Sequence, residues 1–108
     1  MRGELWTLSG GSDHAGKPRP ALIVQDDAFA ETPSVTLCLM TSELTDSPAI
    51  RITFAPDRTN GLKETSQVMT DKITTVPRTK LGKRIGVLSN AEMVVVDRAI
   101  MIFLGLSG

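Results

Sequence analysis

Arg19 lies in Lys17-Pro18-Arg19-Pro20, just ahead of the apolar run Ala21-Leu22-Ile23-Val24. That run predicts a strand, and a Gly-rich segment, Ser9–Lys17, feeds into it. A guanidinium at the mouth of a rigid strand is permanently charged and presents paired N–H donors. It is therefore suited to grip a phosphate or carboxylate through two parallel hydrogen bonds. Thr41 and Ser42 follow directly on the predicted strand Thr36–Met40, and a hydroxyl at a strand end more often caps a turn than does chemistry. Upstream, Trp6 reads as a core or interface anchor.

Other chemical patterns fail on inspection. Gly11-Ser12-Asp13-His14-Ala15-Gly16-Lys17 opens like a phosphate-binding P-loop, but Pro18 stands where a magnesium-binding Ser or Thr is required. Pro18-Arg19-Pro20 also leads into a strand rather than the required helix, so nucleotide binding is rejected. The single histidine, His14, and the single cysteine, Cys38, do not make a zinc site. An exposed imidazole titrates near neutrality and can serve as a general base, although a solvated loop histidine is the plainer reading of His14. Cys38 sits in the apolar run Val35–Met40 and reads as a small buried hydrophobe. Aromatic residues make up 4% of the chain, too few for the stacking platforms of sheet-based single-strand binders.

The elements that must position Arg19 are short. Glu4–Leu8, Ala21–Gln25, Thr36–Met40 and Ala49–Phe54 are predicted strands, the last alternating Ile50, Ile52 and Phe54 with Arg51 and Thr53. Asn60-Gly61 is a strong turn signal. Ser66–Val76 predicts one or two further strands stopped by Pro77, Thr79–Leu81 a single helical turn, and Arg84–Leu88 a last short strand. Ser89-Asn90-Ala91-Glu92 forms a capping box, after which Met93, Val96, Ile100, Phe103 and Leu104 recur at helical spacing up to Gly105. The expected fold is mainly β, a small antiparallel barrel with one C-terminal helix, in one domain spanning residues 1–108.

The chain has 108 residues, 41% of them hydrophobic, and a formal net charge of zero. This describes an ordinary globular protein with a modest core, which makes burial against a second copy plausible. Balanced charge excludes a global field for nucleic acid, but it conceals one asymmetry. Lys72, Arg78, Lys80, Lys83 and Arg84 fall in a stretch with no acidic residue, a strip suited to a polyanion or an acidic segment, or simply a solvated face. Ala99–Leu106, the longest charge-free apolar stretch, is too short to span a bilayer, and no signal peptide is visible; a cytoplasmic location is expected.

Together these residues resemble the MazF/PemK family of toxin–antitoxin endoribonucleases. The resemblance is carried by Arg2-Gly3-Glu4-Leu5-Trp6, Pro18-Arg19-Pro20-Ala21-Leu22-Ile23-Val24-Gln25, Leu39-Met40-Thr41-Ser42 and Asn60-Gly61-Leu62. It continues through Ser66–Val76 and Leu81-Gly82-Lys83-Arg84-Ile85-Gly86. The family implies an SH3-like barrel with a terminal helix, assembled as a homodimer that binds single-stranded RNA along a groove at the interface. A cognate antitoxin would block that surface with an acidic C-terminal segment. The implied chemistry is sequence-specific, metal-independent and cofactor-free: the ribose 2′-OH attacks its phosphodiester to leave a 2′,3′-cyclic phosphate and a 5′-OH. In that scheme Arg19 stabilises the five-coordinate phosphate. Thr41 donates to a phosphate oxygen or to the attacking hydroxyl, and Ser42 supports it. Asp13, the nearest match to the family's acidic loop residue, orients Arg19 or takes the 2′-OH proton. His14, Lys17, Lys72, Lys80 and Lys83 are candidate RNA contacts. The sequence departs from the family where Lys72 replaces a frequent Gln, Pro77 a common Asp and Lys80 a common Arg. The alternatives are a gyrase-poison toxin on the same fold, acting through its terminal helix, and a non-catalytic SH3-like binding module.

Overall fold

Period-two alternation of apolar residues produces six antiparallel strands in the computed structural model, which describes residues 1–9 and 19–106. They are β1 (Glu4–Leu8), β2 (Arg19–Ile23), β3 (Ser34–Thr41), β4 (Arg51–Phe54), β5 (Ser66–Pro77) and β6 (Leu81–Val87), followed by the helix α1 (Asn90–Phe103). The strands form one sheet in the order β4-β5-β3-β2-β1-β6. Thr36–Met40 extends at both ends in β3, and the second strand starts earlier than its apolar run, at Arg19. Arg19 and Thr41 are thus strand residues, and the pleat decides which face each one takes.

The sheet carries apolar residues on both faces. Leu5, Leu22, Cys38, Met40 and Val68 pack beneath α1 against Met93 and Val96. Ala21, Ile23, Val35 and Leu37 form a second cluster on the other face, joined by Trp6, Leu8, Leu39 and Leu81. Burial pushes the Cys38 thiol up to about 12, so it stays a neutral core group, as its sequence context implied. Ser66–Val76 is one continuous strand, β5, with an irregularity inside it: the register with β3 shifts between Cys38 and Met40. Val68 and Ile73 pack on the same side although they are five positions apart, an odd offset, so the alternation breaks once between them.

The connection from β4 to β5 closes the sheet into a barrel by crossing to β6. Val87 N donates to Thr59 O at 2.9 Å, which ties this connection to the opposite edge strand. Asn60 is buried and holds the turn: its Oδ1 accepts from Asp57 N (3.1 Å) and Leu62 N (2.9 Å), and its Nδ2 donates to Ala55 O (2.9 Å). Gly61 follows with φ +68°, in the left-handed region, and a methyl group there would stand 1.9 Å from Ile85 O.

The helix begins and ends as its sequence dictates. Ser89 Oγ accepts from Glu92 N at 3.1 Å while Glu92 Oε1 accepts from Ser89 N at 2.8 Å. Gly105, at φ +73°, ends it: Gly105 N donates to Ile102 O (3.1 Å) and Leu106 N to Met101 O (2.8 Å). The expected buried stripe is only partly present. Met93, Val96 and Ala99 are buried and Ile100 packs on the core, but Phe103 and Leu104 remain 45% and 48% exposed. The stripe runs off the sheet after Ile100. Val94, Val95, Met101 and Ile102 are also exposed, leaving an apolar outer face on α1. No described helix is long and apolar enough to cross a membrane.

Two substitutions test this construction. Gly61→Ala combines a left-handed backbone with a clash against Ile85 O and is expected to cost more than about 2 kcal/mol in urea unfolding. Ser89→Ala removes one half of the capping box and is expected to cost about 1 kcal/mol. Unchanged unfolding midpoints would contradict the barrel closure and the cap respectively.

Candidate active site

A guanidinium and a hydroxyl can act on one phosphate only if the backbone sets them side by side, and the register of β2 on β3 does this. The paired residues are Ala21 with Leu39, Leu22 with Cys38 and Ile23 with Leu37. Continued by two residues, that register places Arg19 across from Thr41, on the face shared by Ala21 and Leu39. Directly opposed residues have Cβ atoms about 4.5–5.5 Å apart. The row runs on in both directions: Arg19 pairs with Leu8, and Leu8 with Leu81, while Thr41 pairs with Gln67, and Gln67 with Thr53. One line of side chains therefore crosses all six strands, with Arg19 and Thr41 at its centre.

The Thr41 hydroxyl has a defined polarity. Its oxygen accepts from Glu43 N at 3.0 Å, the turn-capping bond expected of a hydroxyl at a strand end. That bond occupies a lone pair and leaves the hydroxyl proton to be given elsewhere. Capping and chemistry are compatible here, since the cap orients the donor. Ser42 follows as an exposed residue beside it.

Asp13, His14 and Lys17 fall outside the described residues. The stems of their segment are defined, however. Leu8 pairs with Arg19, and Ser9 is held by Lys80 O, to which its N donates at 2.9 Å and its Oγ at 3.1 Å. Lys80 therefore sits at the same end of the sheet as Arg19. Lys83 is close by on β6, its N donating to Thr7 Oγ1 at 2.9 Å.

The basic strip divides into structural and free cations. Arg78 is consumed by carbonyls, donating from Nε to Thr32 O (2.5 Å) and from Nη2 to Phe29 O (3.4 Å). Arg84 pairs with Glu4 at 3.1 Å, and Glu4 also accepts from Trp6 Nε1 at 2.9 Å. Burial alone would raise the Glu4 pKa, but these hydrogen bonds outweigh it and hold the carboxyl below its usual range. Lys72, Lys80 and Lys83 are exposed, and among the described residues their ammonium groups have no hydrogen-bond or ion-pair partner. Lys72 lies in the irregular part of β5, next to Asp71. Its neighbour Ile73 packs on the cluster under α1.

Three residues that sequence reasoning passed over fix the surroundings of Thr41. Gln67 is 4% exposed; its Oε1 accepts from Thr45 N at 3.0 Å, and its Nε2 donates to Thr45 O at 2.8 Å and to Thr53 Oγ1 at 3.2 Å. Arg51 and Asp71 form a two-pronged ion pair at 2.8 and 3.1 Å, which holds the Asp71 carboxyl below its usual range. The remaining Arg51 nitrogen, Nη1, donates to Thr45 Oγ1 at 3.1 Å. The signals available were a Gln opening an apolar strand run and a charged residue inside each of two predicted strands.

Among the described residues no group of three His, Cys, Asp or Glu could hold a metal ion. A depression of about 430 Å³ lined by Arg2, Val24, Thr36 and Asp97 lies at the far ends of β2 and β3, away from Arg19 and Thr41.

The sequence and the fold have counterparts among known proteins. A probable endoribonuclease MazF of Mycolicibacterium smegmatis is 46% identical over 107 residues, 99% of this chain and 98% of that protein. A mycobacterial endoribonuclease solved in complex with its cognate antitoxin is 26% identical, covers 100% of this chain and 97% of its own, and superposes with a TM-score of 0.81. The Mycobacterium tuberculosis toxin MazF-mt6 shares the fold at 24% identity and a TM-score of 0.81, over 97% of this chain and 99% of its own. Residues 1–104 match the PemK-like, MazF-like toxins of type II toxin–antitoxin systems, and the chain belongs to that family.

Proposed function

We propose that this protein is the endoribonuclease toxin of a toxin–antitoxin pair, cutting single-stranded RNA at specific sequences without a metal ion. The reading is carried by the β2–β3 register, which, continued two residues beyond the Ala21–Leu39 pair, sets Arg19 across from Thr41. The ribose 2′-OH loses its proton and attacks the neighbouring phosphorus. The P–O5′ bond breaks, and the leaving 5′ oxygen takes up a proton. The products are a 2′,3′-cyclic phosphate and a 5′-OH. Arg19 meets the extra negative charge on the five-coordinate phosphate with its N–H donors. Thr41, its oxygen already oriented by Glu43 N, donates a hydrogen bond to a phosphate oxygen or to the attacking hydroxyl, with Ser42 in support. Asp13 has the chemistry to orient Arg19 or to take the 2′-OH proton.

Lys80 and Lys83 border the Arg19 end of the sheet, so an RNA backbone passing over Arg19 meets these two cations, and exposed Lys72 on β5 is a third candidate contact. His14 and Lys17, in the sequence between β1 and β2, are further candidate RNA contacts by their chemistry. The cations also suit an acidic antitoxin segment, in keeping with the mycobacterial relative bound to its cognate antitoxin. The exposed apolar residues of α1, Val94, Val95, Met101, Ile102 and Phe103, support assembly as a homodimer. Such a toxin acts in the cytoplasm, where its RNA and antitoxin are made. The gyrase-poison reading has no use for an Arg–Thr pair, and the close curated relative is named an endoribonuclease.

The test is to incubate the protein with a long single-stranded RNA in EDTA and map the ends by sequencing. Discrete cuts with 5′-OH ends are expected, and Arg19→Ala should slow cutting by roughly a hundredfold to a thousandfold. Absence of cutting by the folded protein, or cutting indifferent to Arg19→Ala, would overturn the assignment.

A further inference from the structure

We propose that Gln67 and the Arg51–Asp71 pair form a clamp on Thr45 that fixes the 42–48 loop beside Thr41 and thereby sets which bases are accepted. The proposal rests on the nuclease reading above and adds positioning residues that do not themselves meet the reacting phosphate.

Thr45 is exposed, yet all three of its polar groups are gripped from the sheet. Its N–H and C=O are both taken by the Gln67 amide, and its hydroxyl accepts from Arg51 Nη1. A backbone amide in a surface loop has water as a ready partner and does not need a buried side chain. The need runs the other way: the Gln67 amide, 4% exposed, must be satisfied, and the loop is its partner. Arg51 is held in turn by both Asp71 oxygens, so its third nitrogen can aim at Thr45 only in one direction.

The position of the clamp gives it a consequence. Gln67 is the residue paired with Thr41, and the loop leaves the sheet at Thr41. The side chains flanking Thr45 are exposed: Glu43, Leu44 and Asp46. A carboxylate accepts from the exocyclic amines of cytosine or adenine, and a Leu side chain packs on an unstacked base. These contacts discriminate between bases only when the loop holds one position relative to Thr41, and Thr45 is where it is anchored.

The test uses the full chain and four proteins: wild type, Gln67→Met, Thr45→Val and Thr45→Ser. Thr45 amide exchange is read by NMR, melting temperature checks folding, and cut sites are mapped on a long single-stranded RNA. Water can satisfy the groups released in Gln67→Met, because Thr45 and Thr53 are both exposed. That variant should exchange Thr45 faster and lose roughly tenfold of its preference for the favoured sequence over single-base variants, while still cutting. Thr45→Val, which loses only the Arg51 bond, should lose less, and Thr45→Ser should match wild type. If Gln67→Met fails to fold, the contrast of Val with Ser decides. An unchanged cut-site map in Gln67→Met, or equal behaviour of Val and Ser, would overturn the clamp and leave the nuclease standing. A wild type that cuts nothing would bring down both.

Discussion

The structure depends on the register between β2 and β3. Three consecutive pairs, Ala21 with Leu39, Leu22 with Cys38 and Ile23 with Leu37, fix it. It is held from both faces, because Leu22 and Cys38 pack under α1 while Ala21, Ile23 and Leu37 pack on the opposite side. A slip of one residue would turn each of these side chains to the wrong face, so the register is strongly specified. Two residues further on, at the ends of the same strands, the pleat brings Arg19 and Thr41 to one face. The packing that stabilises the sheet is therefore the packing that aligns a cation with a hydroxyl donor.

Other features keep that alignment rigid. The β4–β5 connection is tied to β6 by Val87 N and Thr59 O, with buried Asn60 satisfying the turn and Gly61 allowing close approach to Ile85 O. Lys80 O fastens Ser9 at one stem of the segment that precedes Arg19. On the other side, Gln67 fastens the loop that follows Thr41. Ser9 and Thr45 are thus both tied to strands, and fixed donors of this kind are what electrostatic stabilisation without reorganisation requires in the proposed reaction.

The strands, the helix and its cap were legible because local chemistry determines them: alternation for the strands, Ser89 and Glu92 for the helix start, Gly105 for its end. Arg19 and Thr41 stood out in the sequence as candidate site residues, although the sequence suggested they flank strands, whereas they belong to them. Polar residues at strand ends carry little apolar signal, and pairing with a neighbour decides whether the strand includes them. The fate of the basic strip was not legible, since Arg78 and Arg84 are engaged by Thr32, Phe29 and Glu4, all remote in sequence. Exposure of Phe103 and Leu104 was hidden for a different reason. Helical spacing gives the face of a residue but not where the underlying sheet stops. The roles of Gln67, Arg51 and Asp71 arise from contacts across the barrel, which no local pattern encodes.

The central claim is that Arg19 and Thr41 act as one unit on one phosphate. A double-mutant cycle on RNA cleavage tests it, comparing Arg19→Ala, Thr41→Val and the double variant under single-turnover conditions. Groups that act together are strongly non-additive, so the double variant should be about as slow as the slower single variant. Losses that multiply, as for two independent sites, would contradict the account.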